Sequence, residues 1–152
     1  MRVIQPLNLP KAPLKLTKSN DSIYVWCEIR GKKLLLTPEE WVRQHVIHYL
    51  MSTVGIPRER IASEMAIQVN GLTRRCDIVV VDRTGKPKMI VECKATAIPV
   101  NEKVLFQIAQ YNRELQVDYL MLTNGNDHFL AKIDTINGEL VLLENLDKEW
   151  LI

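Results

Sequence analysis

Two short apolar runs, each ending in charge, dictate much of what this chain can become. The first is Arg75-Cys76-Asp77-Ile78-Val79-Val80-Val81-Asp82 and the second is Lys88-Met89-Ile90-Val91-Glu92-Cys93-Lys94-Ala95. The turn Arg83-Thr84-Gly85-Lys86-Pro87 lies between them. β-Branched runs bounded by Gly and Pro predict a hairpin of two strands, and runs apolar on both faces place those strands centrally in a sheet. With a loop over residues 83–86, Asp82 pairs with Pro87, and counting outward brings Asp77 opposite Glu92. Like charges opposed across an antiparallel ladder repel unless a cation lies between them. Lys94, two residues beyond Glu92, shares its face because strand side chains alternate. Two carboxylates and an amine therefore converge at one end of the hairpin. A shorter loop with a bulge at Gly85 would shift every pairing by one and undo the convergence.

At 152 residues, 47% hydrophobic and 25% charged, the chain fits one globular domain with a sizeable core. Its net charge of +2 and pI near 8.4 allow a polyanionic partner without demanding one. Cys27, Cys76 and Cys93 are odd in number and lack a CxxC spacing, and no signal-like or membrane-length apolar segment occurs. The expectation is a reduced, cytoplasmic protein without structural disulfides or membrane association.

Residues 1–22 carry Pro6, Pro10 and Pro13 among scattered Lys and Leu, which suits an extended arm, leaving residues 23–152 as the single domain. Residues 23–36 predict a peripheral hairpin turning at Arg30-Gly31-Lys32-Lys33. Thr37-Pro38-Glu39-Glu40 starts a helix: Thr37 caps, Pro38 suits the first helical position and Glu40 stands where a capping box places its carboxylate. The helix should run to about residue 53 with Val42, Val46, Tyr49 and Leu50 as its stripe. Glu39 heads that stripe where helix meets sheet, a better place for chemistry than the cap position of Glu40. His45 and His48 lack a third ligand nearby in sequence and carry no metal prediction. A strand over residues 60–69 leads into the hairpin. Beyond it, a helix over residues 101–115 has the stripe Val104, Ile108, Tyr111 and Leu115, with Gln107 inside it. A glutamine on a packed face needs a hydrogen-bond partner, most often a backbone group. The strand Tyr119-Leu120-Met121-Leu122-Thr123 follows at crossover distance, hence parallel to the strand bearing Glu92. Residues 128–144 predict a further hairpin with a tight turn at Asn137-Gly138. The fold class is α/β, a mixed sheet flanked by helices with hairpins at its periphery.

Carboxylate oxygens from adjacent strands are hard ligands suited to Mg²⁺ or Mn²⁺, which keep several waters and need only one or two protein carboxylates. Asp77 and Glu92 are the candidate ligands. Lys94 beside them can orient or deprotonate a bound water and stabilise charge on a phosphate. This is equipment for metal-assisted phosphodiester hydrolysis. Arg74 and Arg75 could hold a phosphate backbone, with Lys32, Lys33, Lys86 and Lys88 as weaker candidates.

The order helix, strand, Asp77 strand, Glu92-Cys93-Lys94 strand, helix with Gln107 and Tyr111, strand resembles the PD-(D/E)xK nuclease superfamily, including the Gln-x-x-x-Tyr element of its RecB-like branch. Thr37-Pro38-Glu39-Glu40-Trp41-Val42-Arg43-Gln44, Arg75-Cys76-Asp77-Ile78-Val79-Val80, Glu92-Cys93-Lys94-Ala95 and Leu122-Thr123-Asn124-Gly125 look like the N-terminal domain of type I restriction enzyme R subunits. The resemblance implies a restriction-endonuclease-like fold. It implies Asp77 and Glu92 as metal ligands helped by the backbone carbonyl of Cys93, Lys94 as base or charge stabiliser, and Glu39 as a helix acid near the metal. Gln107 and Tyr111 would border the site and the DNA. Cys76 stands where the superfamily has its naming proline, and these residues contain no P-loop, so translocation would come from elsewhere.

The expected function is Mg²⁺-dependent (or Mn²⁺-dependent) hydrolysis of DNA by a nuclease-fold protein. Its partners would be DNA and either a second copy or separate motor and specificity subunits. The alternative is a non-cleaving nucleic-acid-binding or assembly module that retains the fold.

Overall fold

The computed structural model describes residues 3–69, 71–111, 113–134 and 136–146. Three short strands, β1 (Leu16–Ser19), β2 (Ser22–Cys27) and β3 (Lys32–Leu35), form a small antiparallel sheet. Helix α1 (Pro38–Tyr49) follows and ends in a π-helical turn (Leu50–Val54) closed by Gly55, whose φ of 87° lies in the left-handed region. The main sheet holds β4 (Ile61–Val69), β5 (Leu72–Val81), β6 (Pro87–Cys93), β7 (Tyr119–Thr123), β8 (His128–Ile133) and β9 (Leu140–Leu143), in that spatial order. Helix α2 (Glu102–Tyr111) makes the crossover between β6 and β7, the parallel pair, and the other neighbours are antiparallel. The result is the mixed α/β architecture expected, with a second, smaller sheet.

Two apolar layers cover the sheet. On one face Ile78, Val80, Met89, Val91 and Cys93 pack with Val42, Val46, Ile47 and Leu50 of α1. On the other Val79, Ile90, Leu120 and Leu122 pack with Leu105 of α2. Burial on both faces is what the continuous apolar runs of β5 and β6 require.

The β5–β6 register is Ile78↔Val91, Val79↔Ile90 and Val80↔Met89, the one counted from sequence, but the turn is not the one assumed. Val81 pairs with Pro87 and the register shifts between Val80 and Val81. Asp82 accepts hydrogen bonds at Oδ1 from Thr84 N (2.8 Å) and Lys86 N (3.0 Å), shaping a longer loop whose extra residue the irregularity absorbs.

A second irregularity lies at the other end of β5. In β4 and β5 the pairs Ser63↔Ile78 and Met65↔Cys76 flank Glu64 and Asp77, so neither strand has an inserted residue. Yet Glu64 has φ 52°, left-handed for a non-glycine residue in a strand. The faces reverse there. Ile78 and Val80 face the α1 layer, whereas Cys76, of the same parity, faces the α2 layer with Ile67.

Helix α1 is buried almost all round: Glu40, Trp41, Val42, Arg43, Gln44, His45, Val46 and Ile47 are all covered. One side meets the main sheet, and the other is roofed by the small sheet and the N-terminal segment, where Trp41 packs with Val25 and Leu36. Thr37 caps as expected, its Oγ1 accepting from Glu40 N at 3.0 Å. The Glu40 carboxylate does not complete a capping box but turns inward to Arg43 and Gln44. His45 Nδ1–H donates to the Trp41 carbonyl at 2.7 Å, a packed residue of the helix.

The proline-rich segment is extended, but residues 16–19 add a strand to the small sheet. Its earlier part crosses the domain: Leu7 and Leu9 pack on the core, and Asn8 N donates to Gly125 O at 2.9 Å. The loop after β8 is wider than the tight turn predicted, because the Asp134 carboxylate accepts from the backbone of Ile136 and Asn137, and only Gly138 of the pair has positive φ.

Gly125 combines φ 90° with Leu7 Cδ2 only 2.9 Å from where a Cβ would stand. Gly125→Ala should lower stability by about 1–3 kcal/mol. Urea unfolding measures this, and an unchanged midpoint would remove the N-terminal segment from the cooperative fold.

Candidate active site at the end of the central strands

Pairing between β5 and β6 stops at Ile78 and Val91, and a side chain takes over where the ladder ends. Cys93 N donates to Asp77 Oδ2 at 2.8 Å. Asp77 thus completes the hydrogen bonding of β6 in place of a backbone carbonyl, and this fixes its carboxylate at the strand end. Continuing the register by one step sets Asp77 across from Glu92, close enough for the Asp77 charge to act on the Glu92 carboxyl. Lys94 is fixed through its backbone, with its N–H donating to Thr123 O of β7 at 2.8 Å.

Charge confirms the grouping. Burial pushes Glu92 up to about 7, with further upward pressure from the Asp77 charge and opposition from Lys94. Glu39 is also raised, first by burial and then by Asp77, while Arg43 and Lys94 pull it down. Asp77, Glu92, Lys94 and Glu39 therefore lie within one electrostatic neighbourhood. Lys94 forms no ion pair, so among the described residues its ammonium is uncommitted.

A residue that motif reasoning passed over ties the group together. Arg43 of α1, with only 5% of its side chain exposed, reaches Asp77 Oδ1 (3.1 Å), Glu39 Oε1 (2.6 Å), Glu40 Oε1 (2.5 Å) and Glu64 Oε1 (3.3 Å). Burial works against its charge, but Glu40, then Asp77, Cys93 and Glu39, outweigh it. Glu64 is held in turn by Arg30 at 2.8 Å and Arg75 at 3.4 Å. The signal available in the sequence was Glu39-Glu40-x-x-Arg43, whose i,i+3 and i,i+4 spacings bring three charges onto one helix face.

A family model described as type I restriction enzyme R protein N terminus (HSDR_N) matches residues 38–146, from the first residue of α1 to beyond β9. The chain belongs to this family. No curated protein matches it. The restriction enzyme family brings a context of restriction and modification, of DNA, and of association with other subunits.

The family match spans the whole acidic group but not the small sheet or the N-terminal segment. Gln107 is exposed on α2 and makes no hydrogen bond to the acidic group, so the expectation of a packed, partnered glutamine is corrected. The helix is rotated so that Leu105, fully buried, is its core residue. Tyr111 ends α2, and its side chain lies outside the described residues. Arg74 and Arg75 lie on the outer part of β5, with Arg75 joined to the group through Glu64. Lys88 is committed to Asp118 at 2.6 Å.

The donor set suits a hard divalent cation. Asp77 and Glu92 stand across adjacent strand ends, where a divalent cation would relieve the upward pressure that burial and the Asp77 charge put on Glu92. Burial holds the Cys76 thiol at about 11 and the Cys93 thiol well above its ordinary value, so neither sulfur is a ready ligand. Among the described residues no group of three or more His, Cys, Asp or Glu forms a ready metal cluster. A cation here would have two carboxylates and keep most of its waters, as Mg²⁺ does.

The raised Glu92 has a thermodynamic signature in metal-free protein. Its folded value, about 7, exceeds the ordinary 4.5, so its stabilising contribution is complete below pH 4.5 and is lost as pH rises through 7. Glu92→Gln should abolish that loss, worth on the order of 2–3 kcal/mol between pH 5 and pH 8. Urea titrations at the two pH values decide it; an equal loss in wild type and variant would assign the effect elsewhere.

Proposed function

We propose that this domain is a divalent-metal-dependent nuclease that hydrolyses DNA phosphodiesters in the setting of a type I restriction enzyme. The observation that carries this reading is the placement of Asp77 across from Glu92 at the end of the central strands, beside an uncommitted Lys94. Asp77 and Glu92 would hold Mg²⁺ or Mn²⁺, with the backbone carbonyl of Cys93 as a third oxygen. That ion, when bound, supplies an acidified water and charge stabilisation for a phosphoryl group. The remaining chemistry belongs to the chain. Lys94 Nζ donates hydrogen bonds to the charge developing on phosphate oxygens and orients the attacking water. Glu39, raised above the ordinary carboxylate range by burial and by the Asp77 charge, would accept a hydrogen bond from water. Arg75 and Arg74 lie outward along β5 and would position the backbone of the nucleic acid.

One observation favours the rival reading of a non-cleaving binding or assembly module: Arg43 already pairs with Asp77, Glu39 and Glu64. Supercoiled DNA incubated with the protein in Mg²⁺ or Mn²⁺ separates the two. Asp77→Asn and Lys94→Ala should each reduce nicking by about 100-fold or more while leaving DNA binding intact. Equal binding by all three proteins with no cleavage by any would establish the binding module.

A further inference from the structure

The Arg43 guanidinium has two sides with different company. Nη2 lies 2.6 Å from Glu39 Oε1 and 3.1 Å from Asp77 Oδ1, so one cationic nitrogen bridges two acids of the proposed site. Nη1 lies 2.5 Å from Glu40 Oε1 and 3.3 Å from Glu64 Oε1, acids outside the proposed metal set. Its Nε is buried without a hydrogen-bond partner. The guanidinium is therefore placed for the carboxylates at the expense of its own full donor set. Glu64 keeps a strained φ of 52° while Arg30, Arg43 and Arg75 all hold its carboxylate, so its orientation is over-determined.

We propose that Arg43 is a resident counter-cation: its Nη2 occupies the cation's place beside Asp77 until a divalent metal displaces it, while Glu40 and Glu64 retain Nη1 and keep the guanidinium at the site. It is a positioning residue, and the inference rests on the metal-dependent reading above. Two cations cannot both take the near side of one carboxylate, so metal affinity is the difference between the two attractions. Removing Arg43 leaves acids that only a metal can neutralise, and affinity rises. Neutralising Glu64 frees Nη1, lets the guanidinium settle more firmly on Asp77, and lowers affinity. A salt bridge of purely structural value gives the opposite sign for Arg43, because looser acids bind metal less well.

The test is Mn²⁺ titration calorimetry on the full chain at low ionic strength, with Arg43→Gln, Glu64→Gln and Asp77→Asn beside wild type. Arg43→Gln should bind Mn²⁺ about tenfold more tightly, Glu64→Gln severalfold more weakly, and Asp77→Asn without measurable affinity. A second readout does not depend on a variant folding: the ¹⁵N guanidinium resonances of Arg43 in wild type should shift on adding Mg²⁺, with the midpoint of metal binding. Folded Arg43→Gln that binds no more tightly than wild type, or Arg43 resonances unmoved at saturating Mg²⁺, would overturn the counter-cation role and leave the nuclease reading standing. No Mn²⁺ binding by wild type or Arg43→Gln would overturn the metal-dependent reading, and this inference with it.

Discussion

A single buried guanidinium joins the helical layer to the central hairpin. Arg43 projects from a helix that is covered nearly all round, and its contacts reach β4 and β5 as well as its own helix. A buried ion pair adds little net stability over an apolar substitute, but a buried charge stripped of its partner is costly. The consequence is positional. Any slide of α1 along the sheet would strand Arg43 or one of its acids, so the helix has one acceptable seat. Apolar packing of Val42, Val46 and Leu50 supplies the bulk of the attraction, and the charges choose among the seats that packing alone would allow.

The hairpin contributes the complementary constraint. Where β5 leaves β6, the Asp77 carboxylate serves the Cys93 amide, and the same residue marks the reversal of faces in the β4–β5 hairpin. Regular pleating would have set Cys76 against the α1 layer and left Asp77 facing the wrong side for Arg43. Local rules break in one small region: positive φ at Glu64, an unpartnered Arg43 Nε and a Glu92 carboxyl raised by burial and the Asp77 charge. Such concentrations of cost are characteristic of sites retained for their chemistry.

Much of this was legible in the chain, though not always for the right reason. The opposition of Asp77 and Glu92 followed from a presumed loop; the real loop is longer, and an irregularity at Val80 and Val81 restores the count. Hydrophobic continuity was robust enough to fix which strands are central, because it depends on no single residue. The local spacing of Arg43 with Glu39 and Glu40 is legible, but its tie to Asp77 and the tie of Arg30 to Glu64 are not, because each joins residues 34 apart in different segments. Gln107 was misread because the stripe was phased on Val104 and Ile108, and one residue of rotation gives Leu105 the core position. Pairing of β1 with β2 escaped notice since residues 16–19 are all exposed and carry no apolar alternation.

The β4–β5 hairpin is also a structure of uneven stiffness. Inward of Glu64 and Asp77, β5 is hydrogen-bonded on both sides and sandwiched between two apolar layers; outward, it has β4 as its one ladder neighbour. Torsion of the outer half is taken up at the joint between these regimes, and that joint is the residue pair whose carboxylates meet Arg43. In mechanical terms the hairpin is a lever whose pivot carries the acids.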